Sequence, residues 1–130
     1  MNVTQVLVLG ASVLTLALCG RVHAEERQVQ YVQIAELEID PVQLQAYKAA
    51  AREQIETAIR VEPGVLALYS VSRKDDPAHI TVFEIYADTD AYKGHLESAH
   101  FKKYKAATDN MVKSLKLIRA DPVMLGAKAP

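Results

Sequence analysis

The hydrophobic residues of this 130-residue chain form an apolar leader, followed by segments with the spacing of strands and helices. From Val6 to Cys19 nearly every residue is apolar or small, and this run is shorter than the roughly 20 residues of a membrane-spanning helix. Val22 and Ala24 place small residues where a signal peptidase reads, and a polar stretch starts at Glu25. The pattern predicts a signal peptide over residues 1–24 and export to the periplasm; an uncleaved membrane anchor is the alternative.

The segment after the leader predicts one strand and one long helix. Residues 30–39 are rich in Val, Ile, Leu and Tyr, which is typical of a strand with two partly buried faces. Asp40-Pro41 is a helix start and Pro63-Gly64 a helix stop. Between them, apolar residues recur at helical spacing and predict one core-facing stripe: Leu44, Tyr47, Ala51, Ile55, Ala58 and Ile59.

The second half of the chain predicts a hairpin, two short helical segments and a last strand. Residues 65–73 and 79–87 are strand-like, and a short polar turn joins them. Asp88 or Asp90 can cap a short helix, which Ser98 can break or recap. The second segment has Phe101, Tyr104, Thr108, Met111 and Val112 at helical spacing, and a fourth strand begins at Leu115 and stops near Asp121.

This order of elements predicts an α+β fold. Strand, helix, strand, strand, helix, strand is the ferredoxin-like split βαββαβ unit, an antiparallel sheet with helices on one face. The strands are apolar on both faces, so the second face also needs a cover, and a second copy of the chain is the simplest one. We expect one domain over residues 25–123, a flexible tail over residues 124–130, and a homodimer.

The charge balance and the cysteine count argue against several kinds of partner and site. The 15 basic and 16 acidic residues give a net charge of -1, so no basic excess favours a nucleic-acid partner or an anionic membrane. Cleavage after Ala24 would leave 106 residues and remove Cys19, the single cysteine. A mature chain of that kind has no thiolate nucleophile, iron–sulfur cluster or cysteine-bound zinc.

Motifs for metal or phosphate binding are missing from the sequence. His95 and His100 are five residues apart, and the helix break predicted at Ser98 lies between them, so they make a poor metal pair. We therefore expect no metal site. The sequence has neither a glycine-rich phosphate loop nor a GxSxG elbow, which argues against nucleotide binding and against that class of hydrolase.

The remaining candidates are polar residues within apolar elements. Glu84 shares a strand face with Val82 and Tyr86, where a carboxylate is either paired or raised in pKa; a solvated edge position is the alternative. His95 can reach a pocket between helix and sheet without full burial and act as a general acid or base, or it can simply bond a backbone carbonyl. Four tyrosines could line that pocket or pack in the core: Tyr31, Tyr69, Tyr86 and Tyr104.

Four short motifs, in this order and spacing, resemble the antibiotic biosynthesis monooxygenase domain over residues 30–123. They are Glu62-Pro63-Gly64, Leu68-Tyr69, Phe83-Glu84-Ile85-Tyr86, and the stretch from His95 to Phe101. The resemblance implies a dimeric α+β barrel. Some members of that family oxidise phenols or quinols with oxygen and without metal or flavin, and the quinol monooxygenase branch looks closest. Others isomerise a phosphorylated autoinducer or degrade haem.

The chain departs from two branches of this family. Haem-degrading relatives use an Asn in the first strand, a Trp in the barrel and a His on the second helix. This sequence has no Trp and no Asn in the first strand, and Lys105 stands near the position of that His. Relatives that oxidise polyketides also rely on Trp and Asn. We therefore expect neither haem nor that substrate class.

The working hypothesis is a cofactor-independent monooxygenase for a quinol or phenolic small molecule, with O2 as the second substrate. His95 would be the base, with Glu84 as the second catalytic residue. Tyr69 and Tyr86 would hydrogen-bond the ring oxygens, and the remaining substrate-binding residues would be Phe101, Tyr104 and Tyr31. Two alternatives stay open: a non-catalytic periplasmic binding module, and a cofactor-free isomerase with His95 and Glu84 as its acid–base couple.

Overall fold

A computed structural model describes residues 29–129, which contain four strands and three helices. The predicted signal peptide lies outside the described residues. Within residues 29–129, no helix combines the length and the apolar character needed to cross a bilayer. The elements are β1 (Tyr31–Ile39), a 3-10 turn (Pro41–Gln43), α1 (Leu44–Val61), β2 (Val65–Ser72), β3 (His79–Tyr86), α2 (Thr89–Glu97), α3 (Ala99–Thr108) and β4 (Val112–Ala120).

The strands form one antiparallel sheet in the order β2-β3-β1-β4. β1 and β3 are central, and β2 and β4 are the edges. This confirms the predicted ferredoxin-like α+β fold, in which each half of the chain contributes alternate strands. Residues 121–129 follow β4 outside any helix or strand.

Both ends of α1 lie where the sequence predicts them. The Asp40 carboxylate accepts the backbone N–H of Val42 at 3.0 Å, and Gln43 donates its side-chain amide to the same carboxylate. The helix ends before Pro63-Gly64. One residue of the predicted core-facing stripe is wrong: Ile59 is 49% exposed, whereas Gln54, which was not part of that stripe, is buried. Tyr47, Ala51, Gln54 and Ala58 therefore form the buried stripe, and the stripe includes a polar side chain.

The fourth strand begins earlier than predicted. Met111 and Val112 are not helical, because α3 ends at Thr108, whose hydroxyl donates back to the Tyr104 carbonyl. The Met111 carbonyl instead accepts the backbone N–H of Asp40, and Val112 pairs with Ile39. Pairing with the end of β1 thus overrides the helical spacing of the side chains.

The core has two clusters on the helix-facing side of the sheet. One surrounds Tyr47 and Ile80, and the other surrounds Tyr86 and Ala58. The opposite face of the sheet carries apolar side chains that nothing in the described chain covers, among them Tyr69 and Val71, which are 61% and 60% exposed.

Candidate functional site

A pocket lies between the helix-facing side of the sheet and the three helices. Alternate residues of the central strands form its floor, including Ala35, Val82 and Glu84, and its walls come from α1, α2 and α3. The space open to water-sized groups is about 120 Å³. Since one such group occupies roughly 10–15 Å³ of this space, the pocket holds on the order of ten non-hydrogen atoms.

Glu84 is the carboxylic acid of the pocket floor. Its Oε2 accepts the Tyr86 hydroxyl at 2.8 Å and the Gln33 side-chain amide at 3.4 Å. Tyr31 in turn donates to Gln33 at 3.1 Å. Among residues 29–129, every hydrogen bond to the Glu84 side chain ends on Oε2, so Oε1 remains available to a bound molecule.

Burial dominates the electrostatics of Glu84. Loss of hydration raises the pKa of the Glu84 carboxyl above its ordinary value, and the hydrogen bonds from Tyr86 and Gln33 offset this only in part. A carboxylate with a raised pKa is a stronger base than a solvated one. The sequence predicts that the Glu84 carboxylate either has hydrogen-bond partners or has a raised pKa. In the structure it has both.

The tyrosine hydroxyls around the pocket act as neutral hydrogen-bonding groups. Burial is the largest cause of the raised pKa of Tyr47, Tyr86 and Tyr104. The Tyr47 and Tyr104 hydroxyls lie 2.9 Å apart and bond one another. At neutral pH these three phenols keep their protons and can orient a polar group of a ligand.

His95 lines the pocket but is more buried than its short helix predicts, with only 2% of the residue exposed. Its Nδ1 lies 2.7 Å from Glu62 Oε2, and its Nε2 lies 2.9 Å from the Gln54 side-chain amide nitrogen. Because a carboxylate only accepts, Nδ1 carries the proton and donates to Glu62, and Nε2 accepts from Gln54. Both ring nitrogens are thus engaged within the protein.

The helix break at Ser98 brings the two histidines together. Ser98 ends α2 and caps α3: its hydroxyl donates to the His95 carbonyl at 2.7 Å and accepts from the Phe101 N–H. His100 Nε2 then lies 2.7 Å from the Glu62 oxygen that His95 also bonds. The helix break was the reason to expect a poor metal pair, yet the change of direction at Ser98 brings both rings to one carboxylate.

Glu62, His95 and His100 are also a donor set of a kind that binds divalent metals. Their three ligand atoms lie within 4.8 Å of one another, as do those of Glu38, Asp76 and His79 at the other end of the sheet. In the first group, two imidazole N–H donors share one carboxylate oxygen, so hydrogen bonds alone account for the arrangement.

The structure brings most of the predicted site residues together. Glu84, His95, Tyr86, Phe101 and Tyr104 line the pocket. Tyr31 lies behind this lining: its ring stacks on Tyr92 with centroids 4.1 Å apart, and the Arg119 guanidinium carbon lies 3.3 Å above the same ring.

Tyr69 is the exception, because it lies on the opposite face of the sheet. The register of β2 shifts between Val65 and Ala67, where one extra residue reverses the alternation of side chains. Val65 and Leu68 consequently share the helix-facing side, and Tyr69 pairs with Phe83 on the other. Tyr69 cannot bond a ring oxygen in this pocket.

Sequence reasoning missed several polar residues of the site, among them Gln33, Gln54 and Glu62. The sequence does indicate that Gln33 and Gln54 face the core. Gln33 alternates with Ala35 and Leu37 on one strand face, and Gln54 lies seven residues after Tyr47, which is two helical turns. In the sequence Glu62 stands out only as part of the Glu62-Pro63-Gly64 motif, and no local pattern predicts its histidine partners.

The sequence model of the antibiotic biosynthesis monooxygenase family matches residues 30–107. Among solved structures, a protein of Bacteroides thetaiotaomicron classed with these monooxygenases is 47% identical, with a TM-score of 0.75 over 78% of this chain and 97% of its own. A Lactobacillus acidophilus protein classed as a monooxygenase is 26% identical, with a TM-score of 0.68 over 71% of this chain and 45% of its own. A Nitrosomonas europaea protein shares the fold at 24% identity, with a TM-score of 0.69 over 74% and 92%. No functionally curated protein matches the sequence.

Proposed function

Because the chain belongs to the antibiotic biosynthesis monooxygenase family, we propose that it is an oxygenase that oxidises a small hydroquinone or related phenol in the pocket beneath α1–α3. The observation that carries this proposal is Glu84: a half-buried carboxyl of raised pKa that lines a largely apolar pocket and, among residues 29–129, has one oxygen without a hydrogen bond. Such a group suits the removal of a phenolic proton. The pocket volume fits a ring system of one or two rings.

In the proposed reaction, Glu84 Oε1 accepts the proton of one hydroxyl group. The resulting phenolate gives one electron to O2, and the semiquinone and superoxide combine to form a carbon–oxygen bond at the ring. The ring hydroperoxide then loses water as its O–O bond breaks, which leaves a hydroxyquinone. Quinol and O2 thus yield hydroxyquinone and H2O, with all four electrons for the reduction of O2 drawn from the substrate.

The protein would contribute deprotonation, orientation and the exclusion of water. Tyr86 holds the Glu84 carboxylate in place, and the hydroxyls of Tyr47 and Tyr104 can bond the second ring oxygen. Ala35, Leu68 and Val82 form an apolar part of the floor that favours a ring over water. Each of these roles uses a side chain that lines the pocket or bonds one that does.

His95 has a supporting place in this proposal. To accept a substrate proton, Nε2 would first have to lose the Gln54 amide, which already donates to it. Glu84 needs no such rearrangement, so we assign the base to Glu84. His95 then holds α1, α2 and α3 in position around the pocket through Gln54 and Glu62.

Oxygen uptake with a panel of hydroquinones, combined with ¹⁸O₂ labelling, tests the proposal. The expected result is one labelled oxygen in a hydroxyquinone product and the other in water, at a rate that depends on folded protein. Neither a non-catalytic binding module nor an isomerase would consume oxygen. Absence of uptake across the panel, with the ligands shown to bind, would refute the function.

We also propose that the chain acts as a homodimer in the periplasm. The apolar leader supports export, and the exposed face bearing Tyr69 and Val71 supports pairing through the sheet. Light scattering should report a dimer at micromolar concentration. Mass analysis of the periplasmic fraction should find a chain that begins at Glu25. A stable monomer, or a full-length chain in the membrane fraction, would contradict these two statements respectively.

A further inference from the structure

The mouth of the pocket combines apolar side chains with one cation. Leu115 and Leu117 on β4 line it with 46% and 51% of their surface exposed, and Lys105 on α3 lines the same opening. Among residues 29–129, Lys105 is the one lysine or arginine in the pocket lining. Apolar side chains that stay exposed beside an ammonium group suit a ligand that is apolar with a charged end.

Lys105 differs from its neighbours on the same helix. Lys102 pairs with Glu97 at 2.7 Å, and Lys103 pairs with Glu53. Within the described part of the chain, no carboxylate lies within 4.0 Å of the Lys105 ammonium group. Its charge therefore remains available to an anion that enters the pocket.

The register of the sheet relates the leucines of the mouth to the base. Glu84 lies opposite Gln33, and Val82 in the same strand lies opposite Ala35, which pairs with Leu117 on β4. Glu84 and Leu117 are thus two strand spacings apart across the sheet, or about 10 Å, and two residues apart along it. An elongated ligand can bridge this distance with a phenol at Glu84 and a second polar group at the mouth.

We propose that Lys105 binds an anionic substituent of the substrate, and that the substrate class is phenols or quinols that carry a carboxylate at the end of a short side chain. The phenol in this substrate class rests on the proposed function, whereas the anionic substituent rests on Lys105 alone. A carboxylate placed deep in the pocket would meet the Glu84 carboxyl, where like charges repel. Lys105 therefore fixes the orientation: anion at the mouth, hydroxyl group at the base.

Calorimetric titration without oxygen tests this inference, with 4-hydroxycinnamate and its uncharged methyl ester as probes. The wild-type protein should bind the acid about fivefold more tightly than the ester, the upper range for an exposed ion pair. Lys105→Gln should abolish the preference, and Lys105→Arg should keep it. Lys102→Gln is the matched control, because it removes a lysine of the same helix that does not line the pocket.

Two further measurements separate this inference from its alternatives. The preference for the acid should shrink when the salt concentration is raised to about 0.5 M, since salt screens an exposed pair. Equal affinity for acid and ester in the wild type, a preference that survives in Lys105→Gln, or no binding of either probe would each overturn the inference. A protein that prefers the acid but never consumes oxygen with any phenol refutes the proposed function and leaves the role of Lys105 standing.

Discussion

Replacing Glu84 by glutamine removes the proposed base and changes little else. The amide oxygen of the new side chain can take the place of Oε2 and still accept from Tyr86 and Gln33, so the hydrogen-bonded row is kept. An amide cannot take up a phenolic proton at neutral pH. General base catalysis contributes about 10²- to 10⁴-fold, so kcat for quinol oxidation should fall by at least about 10²-fold in Glu84→Gln, whereas binding of a non-reactive phenol should stay nearly unchanged.

The same substitution should alter the pH dependence of stability. The pKa of Glu84 is raised in the folded chain, so the group stabilises the fold fully below its ordinary value of 4.5, and this contribution is lost as the pH rises through the folded pKa. An amide has no such dependence. Relative to wild type, Glu84→Gln should therefore gain stability as the pH rises from acidic to neutral.

Urea unfolding at several pH values and oxygen uptake on the same samples measure both effects. Glu56→Gln, the same change on the exposed side of α1, is the control and should leave both quantities unaltered. A Glu84→Gln protein with full turnover would refute the assignment of the base. An unfolding free energy that follows pH as in wild type would refute the account of its burial.

Other predictions concern the neighbouring helices. His95→Ala should cost about 1–3 kcal/mol of stability, because it leaves the buried Gln54 amide without its partner and removes one of the two imidazole donors to Glu62. It should lower turnover per folded molecule by less than about tenfold. Thermal melting and oxygen uptake check both effects, and a stable but inactive variant would return the base to His95. Gly64→Ala should destabilise the fold by about 1–3 kcal/mol, because the new Cβ would lie 2.6 Å from the Ala91 Cβ. The new Cβ of Gly94→Ala would meet nothing within 4 Å, so this substitution should stabilise α2 by about 0.5–1 kcal/mol. Denaturant unfolding of the two glycine variants measures both changes in the free energy of unfolding, and changes of equal sign and size would contradict the prediction.

The fold could be predicted because its signals are local. Asp40 and Ser98 start their helices through hydrogen bonds within a few residues. Pro63 ends α1 because it has no N–H to continue the helix. The start of β4 could not be predicted in this way. The apolar residues around Met111 fit a helix, and only the contact with Asp40, far away in sequence, makes them a turn and a strand.

The site was predictable where side chains follow the regular alternation of a strand. Glu84 and Tyr86 share a face of β3 as expected, whereas the bulge after Val65 places Tyr69 on the opposite face from the one that simple alternation gives. Glu62 meets His95 and His100 across 33 and 38 residues of sequence. Such contacts depend on how the helices lie on the sheet, which no local pattern encodes.

The strand order has a consequence for how the molecule is made. β1 pairs with β3 on one side and with β4 on the other, and not with β2, the strand that follows it along the chain. The first half of the polypeptide therefore cannot build a sheet from its own strands, and β1 finds its last neighbour only when Ala120 pairs with Val32. Contacts of such long sequence separation form slowly. A ribosome must therefore synthesise nearly the entire domain, through Ala120, before the sheet can close.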